Sequence, residues 1–200
     1  MPPLFLAGHP ALDFLNTAFT PPPGGEPVEA IGDGASFVAW FVEAGLLNAA
    51  TASKLKRRFG ADGLDEVAAE GRKFRQWTIA WLTRWIEAPT ADYGAELQRL
   101  NRLLERASSY REVVAAEGGF KSVEHGRLDE AGDLVSILAS QLARLVTSED
   151  PALVKRCAGS GCILWFVDRT KAHRRMFCSA SACGNRAKVA AFRERERASS

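Results

Sequence analysis

No stretch of this chain is long and apolar enough to cross a bilayer. The longest hydrophobic runs, residues 37–47 and 134–145, are broken by Glu43 in one and by Gln141 and Arg144 in the other, well short of the roughly 20 apolar residues a span needs. A secretory signal is also missing, because residues 1–6 carry no charge and Asp13 soon follows. A cytoplasmic chain with no membrane partner is expected. Cysteine is absent from the first 156 residues, which argues against a disulfide-stapled secreted domain. There is no internal repeat and no low-complexity tract. No catalytic triad, phosphate loop or paired-carboxylate arrangement stands out, so an enzyme is not expected.

What is present is ordinary in composition and uneven in distribution. Of 200 residues, 46% are hydrophobic and 25% charged, the mixture of a soluble globular protein. Net charge is only +2, yet residues 1–154 hold 15 Lys+Arg against 21 Asp+Glu, a balance of −6, while residues 155–200 hold 11 against 3, a balance of +8. A basic segment that dense points to a polyanion such as nucleic acid, or else to a solvated basic tail.

Local patterns predict a mostly helical body. Residues 8–17 suit a short strand or a helical turn equally. The proline and glycine run at residues 21–25 and the Gly32-Asp33-Gly34 turn then enclose a loop. Ser36 is a candidate N-cap for a helix ending at Gly45, and Thr51 for a shorter one through residues 54–59. Apolar positions from Leu64 to Ile86 recur at helical spacing up to Pro89, and a further helix covers residues 91–106. Residues 110–117 and 120–127 read as a hairpin about Gly118-Gly119. Asp129 or Asp133 can open a last body helix, and Pro151 marks the expected domain boundary. Trp40, Trp77, Trp81 and Trp85 fall at helical spacings and are expected in the core rather than around a cavity.

All four cysteines lie at its far end, as Cys157-x4-Cys162 and Cys178-x4-Cys183 separated by fifteen residues. Two such pairs suit a tetrahedral metal site, each bringing two thiolates to one side of the ion while the intervening chain folds back with the second pair. Small residues fill both loops, Ala158-Gly159-Ser160-Gly161 and Ser179-Ala180-Ser181-Ala182, and let the chain curl round a metal. Structural Zn2+ is the expected occupant. Two disulfides belong to secreted chains, and iron–sulfur ligation uses other spacings. His173 is not needed once four thiolates complete the shell. A module of this size buries little surface, so the metal should supply most of its folding free energy, on the order of 10 kcal/mol.

Between the pairs, residues 163–168 form a natural strand and Met176-Phe177 a second short one, giving a hairpin under the metal. Residues 184–197 form a helix. At about 100° per residue, Arg186, Arg193 and Arg197 cluster on one side and Val189 and Phe192 lie beside them. These arginines, with Lys171, Arg174 and Arg175, are the candidate contacts to double-stranded DNA. Pairing of the arginines with Glu194 and Glu196 on a surface helix is the alternative.

Cys183-Gly184-Asn185-Arg186, with the upstream cysteines in matching places, resembles the bacterial CGNR zinc-finger family. Ahead of its finger that family usually carries a domain called ABATE, whose N-terminal signature is similar to residues 8–17, above all Leu12-Asp13-Phe14 and Asn16-Thr17. In this chain the approach to the aspartate is altered to His9-Pro10-Ala11. The resemblance covers essentially the whole chain and implies a stress-related transcriptional regulator with a sensing body and a DNA-binding finger. The fold class expected is therefore mainly α (α+β): a helical domain with a small hairpin over residues 1–150, and a four-cysteine zinc finger of hairpin and helix over residues 151–200. A small-molecule or protein effector would act on the body, with Asp13 and Asn16 either touching it or capping nearby backbone. A homodimer is compatible. The competing function is a zinc-stabilised protein-interaction or dimerisation module without direct DNA binding.

Overall fold

Pro10 decides the first element. Gly8 turns the chain at a φ of +75°, and His9 is extended with its Nδ1 accepting the Ala11 N–H at 3.2 Å. Pro10 then fills a first-turn position where a missing N–H has no consequence. The ambiguous segment is thus a helix, α1 (Pro10–Leu15), with Ala11, Leu12, Asp13, Phe14 and Leu15 all buried. In this computed structural model the described residues are 5–21, 25–106, 109–126 and 128–198. Residues 22–24 of the expected proline–glycine break, and residue 127 at the expected end of the body hairpin, lie outside them.

After α1, β1 (Ala18–Phe19) and β2 (Val28–Glu29) pair antiparallel. Helix α2 (Gly34–Glu43) is capped by Asp33 and not by Ser36: Asp33 Oδ1 accepts the Ser36 N–H at 2.7 Å while Ser36 Oγ accepts the Asp33 N–H at 3.2 Å. The predicted cap is the third residue of a capping box. Helix α3 (Ala49–Glu87) joins the two predicted helices across a break at Gly60, whose φ of 65° and ψ of −175° only glycine adopts comfortably. Its cap is Asn48, accepting the Thr51 N–H at 2.7 Å. Two glycines set how closely α2 and α3 approach. A Cβ on Gly34 would lie 2.3 Å from the Leu64 Cβ, and one on Gly71 would lie 2.7 Å from the Phe37 ring.

Helix α4 (Gly94–Glu105) leads into the expected hairpin, β3 (Ser109–Ala116) and β4 (Gly119–Gly126), but its turn is Glu117-Gly118, one residue earlier than the expected Gly118-Gly119, with Ala116 paired to Gly119. Helix α5 (Asp133–Ser148) begins where Asp133 Oδ2 accepts the N–H groups of Asp129 and Glu130, each at 2.9 Å. Pro151 does not end regular structure. It opens a single 3-10 turn, Pro151–Leu153, which passes directly into β5 (Val154–Arg156). The partner of β5 is β6 (Trp165–Val167), in antiparallel register Val154↔Val167 and Arg156↔Trp165. The hairpin expected from residues 163–168 and Met176-Phe177 is therefore replaced by one formed from upstream residues. The chain closes with a π-turn, Ala180–Gly184, and helix α6 (Asn185–Ala198). The fold is mainly helical, with three small two-stranded sheets among the described residues, and no helix there is long and apolar enough to cross a membrane.

Successive residues of a strand face opposite ways, and β6 uses both faces. Trp165 and Val167 join the main core of Leu12, Phe14, Trp40, Leu82 and Leu138. Phe166, with Leu164 before it, joins a second cluster made with Phe19 and three of the cysteines. Trp40, Trp81 and Trp85 are buried as expected, whereas Trp77 is only half-buried. Arg75, buried on α3, ion-pairs with Glu29 and donates to Thr17 Oγ1 at 2.6 Å, tying β2 and the end of α1 to the long helix. Burial works against the Glu29 charge, but Arg75 outweighs it and holds the carboxyl below its ordinary range.

Candidate metal centre

Strand β5 carries the chain to Cys157, whose N–H bonds the Leu164 carbonyl at 2.8 Å and so extends the hairpin by one rung. The turn beyond it needs glycine twice. Gly161 has a φ of +70°, and a Cβ on Gly159 would come within 3.1 Å of the Cys183 sulfur. Cys162 closes this first knuckle with its N–H on the Gly159 carbonyl at 3.0 Å. The second pair arrives through the loop after β6. Ser179 Oγ accepts the Ala182 N–H at 3.3 Å, capping the π-turn that places Cys183 beneath the start of α6.

All four sulfurs lie within 4.8 Å of one another, with Cys162 and Cys178 at 3.8 Å and Cys178 and Cys183 at 3.5 Å. A tetrahedron with sulfurs about 2.3 Å from a central ion has edges of about 3.8 Å. Disulfide sulfurs would sit about 2.05 Å apart, and these cysteines are free thiols. His173 stands outside the cluster. Electrostatics favour a cation in the centre. Burial pushes the Cys162 thiol up to about 11, and burial together with the neighbouring thiols pushes Cys178 higher still. Burial also opposes ionisation of Cys157, but the N–H groups of Cys178 and Gly159, at 3.3 and 3.4 Å from its sulfur, bring it below the ordinary thiol value. Four thiolates this close are compatible only with a positive ion among them. The donor set, its size and its shape fit Zn2+, and four thiolates leave no open position on the ion.

The arginines divide into two groups. Arg186 donates to the Cys183 sulfur at 2.9 Å. Arg175 lies over the Phe166 ring at 4.2 Å, with Nε donating to the Phe177 carbonyl at 2.9 Å and a second guanidinium N–H to the Cys178 carbonyl. Both brace the second knuckle from inside. Lys171, Arg174, Arg193 and Arg197 are exposed. The structure therefore does not gather the six basic residues on one face.

Asp168, which spacing alone did not single out, organises the crossing between the knuckles. It is fully buried. Its Oδ2 takes the Lys155 ammonium at 2.6 Å and the Arg175 N–H at 2.8 Å, and its Oδ1 takes the Thr170 hydroxyl at 2.6 Å and N–H at 3.0 Å. Burial opposes the charge, but these partners outweigh it and hold the carboxyl far below the usual range. An aspartate ending an apolar strand two residues before a threonine is the available signal, an Asx-turn pattern.

Asp13 and Asn16 both serve backbone groups. Asp13 Oδ1 accepts the Ala7 N–H at 2.9 Å, with burial pushing its carboxyl up. Asn16 grips the backbone of Trp165, 149 residues away, donating to its carbonyl at 2.9 Å and accepting its N–H at 2.8 Å. Beside it the Val167 N–H bonds the Ala7 carbonyl at 2.7 Å. The amide side chain thus acts as one rung of sheet along β6.

A helical body clamped to the hairpin of a closed four-thiolate site, with a basic helix beyond, defines the class as a zinc-finger protein with an attached helical domain. The chain belongs to the ABATE family, described as "Putative stress-induced transcription regulator", whose model matches residues 8–149, and it carries a CGNR zinc finger over residues 154–196. No curated protein matches it.

Proposed function

We propose that this protein regulates transcription by binding duplex DNA through the zinc finger, with the helical body sensing the controlling signal. The charge division carries this reading: +8 on residues 155–200 against −6 on the rest. Lys171, Arg174, Arg193 and Arg197 are exposed and supply the phosphate contacts. Arg175 and Arg186 act indirectly, by keeping the second knuckle and the root of α6 in shape. The closed thiolate shell suits a supporting rather than a catalytic metal.

Fluorescence anisotropy with duplex DNA at several salt concentrations tests this. Four neutralised phosphates predict a fall of log K with log salt of slope about −3 to −4. Arg193→Glu should weaken binding severalfold and flatten the slope by about one. Absence of binding at low salt by zinc-loaded protein sinks the reading. One observation favours the competing interaction-module function: Met176 and Val189, 60% and 44% exposed, line a groove of about 1080 Å³ beside α6. In that case gel filtration shows a zinc-dependent dimer and anisotropy shows no affinity for DNA.

A further inference from the structure

A groove of about 670 Å³ lies on the helical body, far along the chain from the cysteines. Helix α4 is held to α3 at the turn between them and packs mainly against α5, which leaves the groove open between α3 and α4. At that turn Arg84 bonds Glu96 at 2.8 Å and stacks over the Tyr93 ring at 4.7 Å, while the Tyr93 hydroxyl donates to the Ala88 carbonyl at 2.8 Å. Beyond the pin, Phe74, Trp77, Leu103 and Val135 form an apolar floor. Its volume falls in the roughly 300–1,000 Å³ range of small-molecule sites.

The rim is positive. Lys73, Arg99 and Arg102 stand on it, and of its two carboxylates Glu96 is already held by Arg84, leaving Glu70 against three cations. Among the described residues Arg102 bonds the neutral Gln98, Nε to its carbonyl at 3.4 Å and a second guanidinium N–H to its side-chain oxygen at 3.1 Å, and Arg99 stands over Trp77 with its guanidinium carbon 4.6 Å from the ring centroid. A guanidinium held against a ring still has N–H donors to offer a planar anion. Trp77 itself continues a row of rings, 5.5 Å from Phe74 and 5.3 Å from Trp81.

The geometry points to a binding site for a small aromatic carboxylate, its ring on Phe74 and Leu103 beside the Arg99-covered Trp77 and its carboxylate between Arg99 and Arg102. This deepens the sensing half of the proposed function and rests on it for purpose, though binding itself does not require DNA. The site lies apart from Asp13 and Asn16.

The test is a titration of full-length, zinc-loaded protein with 1-naphthoate in the absence of DNA, read by calorimetry and by tryptophan fluorescence. Saturable binding at one site per chain is expected, with the neutral 1-naphthamide weaker by roughly tenfold or more. Arg99→Gln with Arg102→Gln, both at exposed positions, should weaken naphthoate by a similar factor and leave naphthamide unchanged. Trp77→Phe should keep the calorimetric binding and remove most of the fluorescence change. No saturable binding, equal affinity for acid and amide, or indifference to the double substitution overturns the site. A dimer that dissociates in the double variant, with no naphthoate binding, assigns the groove to a second copy and also overturns it. Naphthoate that binds without changing DNA affinity upholds the site and contradicts the sensing role, so the two failures are distinguishable.

Discussion

The helical body and the cysteine-bearing end hold themselves together by different means. In the body, large side chains such as Phe14, Phe37, Trp40 and Leu138 fill one continuous core. Past Val167 the chain has little of this kind, and what orders it is four sulfurs, the Asp168 hub and the inward arginines. Strand β6 belongs to both regions, one face in each core. The metal module is thus two halves with separate supports: a hairpin, β5 with β6, anchored by the body, and a crossing loop with α6, anchored by the metal.

Removing the metal is the largest perturbation of this contrast. Structural zinc contributes on the order of 10 kcal/mol to such modules, so a chelator, or Cys178→Ser, should melt α6 and abolish DNA binding. Circular dichroism should lose no more helix than α6 contains, the body's transition persisting. Next comes Trp165→Ala, which empties a fully buried site in the main core and should destabilise the body by about 3–5 kcal/mol in chemical denaturation. Were its effect confined to zinc affinity, β6 would belong to the metal half alone.

Asn16→Ala is gentler. It leaves the buried Trp165 N–H and carbonyl without their partner and should lower body stability by about 1–3 kcal/mol. The smallest effect is acid sensitivity at Glu29. Its folded pKa lies below the ordinary 4.5, so the stability from its pairing with Arg75 is present above that value and is lost as pH falls through the depressed one. Glu29→Gln should flatten that part of the acid limb of thermal unfolding.

Features carried by neighbouring residues were legible in the sequence. The two Cys-x4-Cys pairs, the β3–β4 hairpin (its turn placed one residue late) and the apolar stripe of α5 each lie within one short window. The misreadings share a cause. Met176-Phe177 was the nearest apolar partner for β6, but Val154 to Arg156 forms the strand because the 3-10 turn at Pro151 feeds straight into it. Local spacing points to Ser36 and Thr51 as caps, three residues late, since Asp33 and Asn48 reach forward to them. Helical spacing put Arg186 among the outward arginines, and nothing in charge patterning distinguishes a guanidinium that will meet a sulfur. Asn16 was visible as a motif residue, but its partner lies 149 residues away and is a backbone, which no local pattern encodes.

Hydrogen exchange on the full-length protein, with and without chelator, tests the split support most directly. The expected result is lost protection across residues 169–198, with the β6 amides of Trp165 and Val167 still protected by Asn16 and Ala7. Loss of β6 and α6 together, in a single step on metal removal, would contradict it.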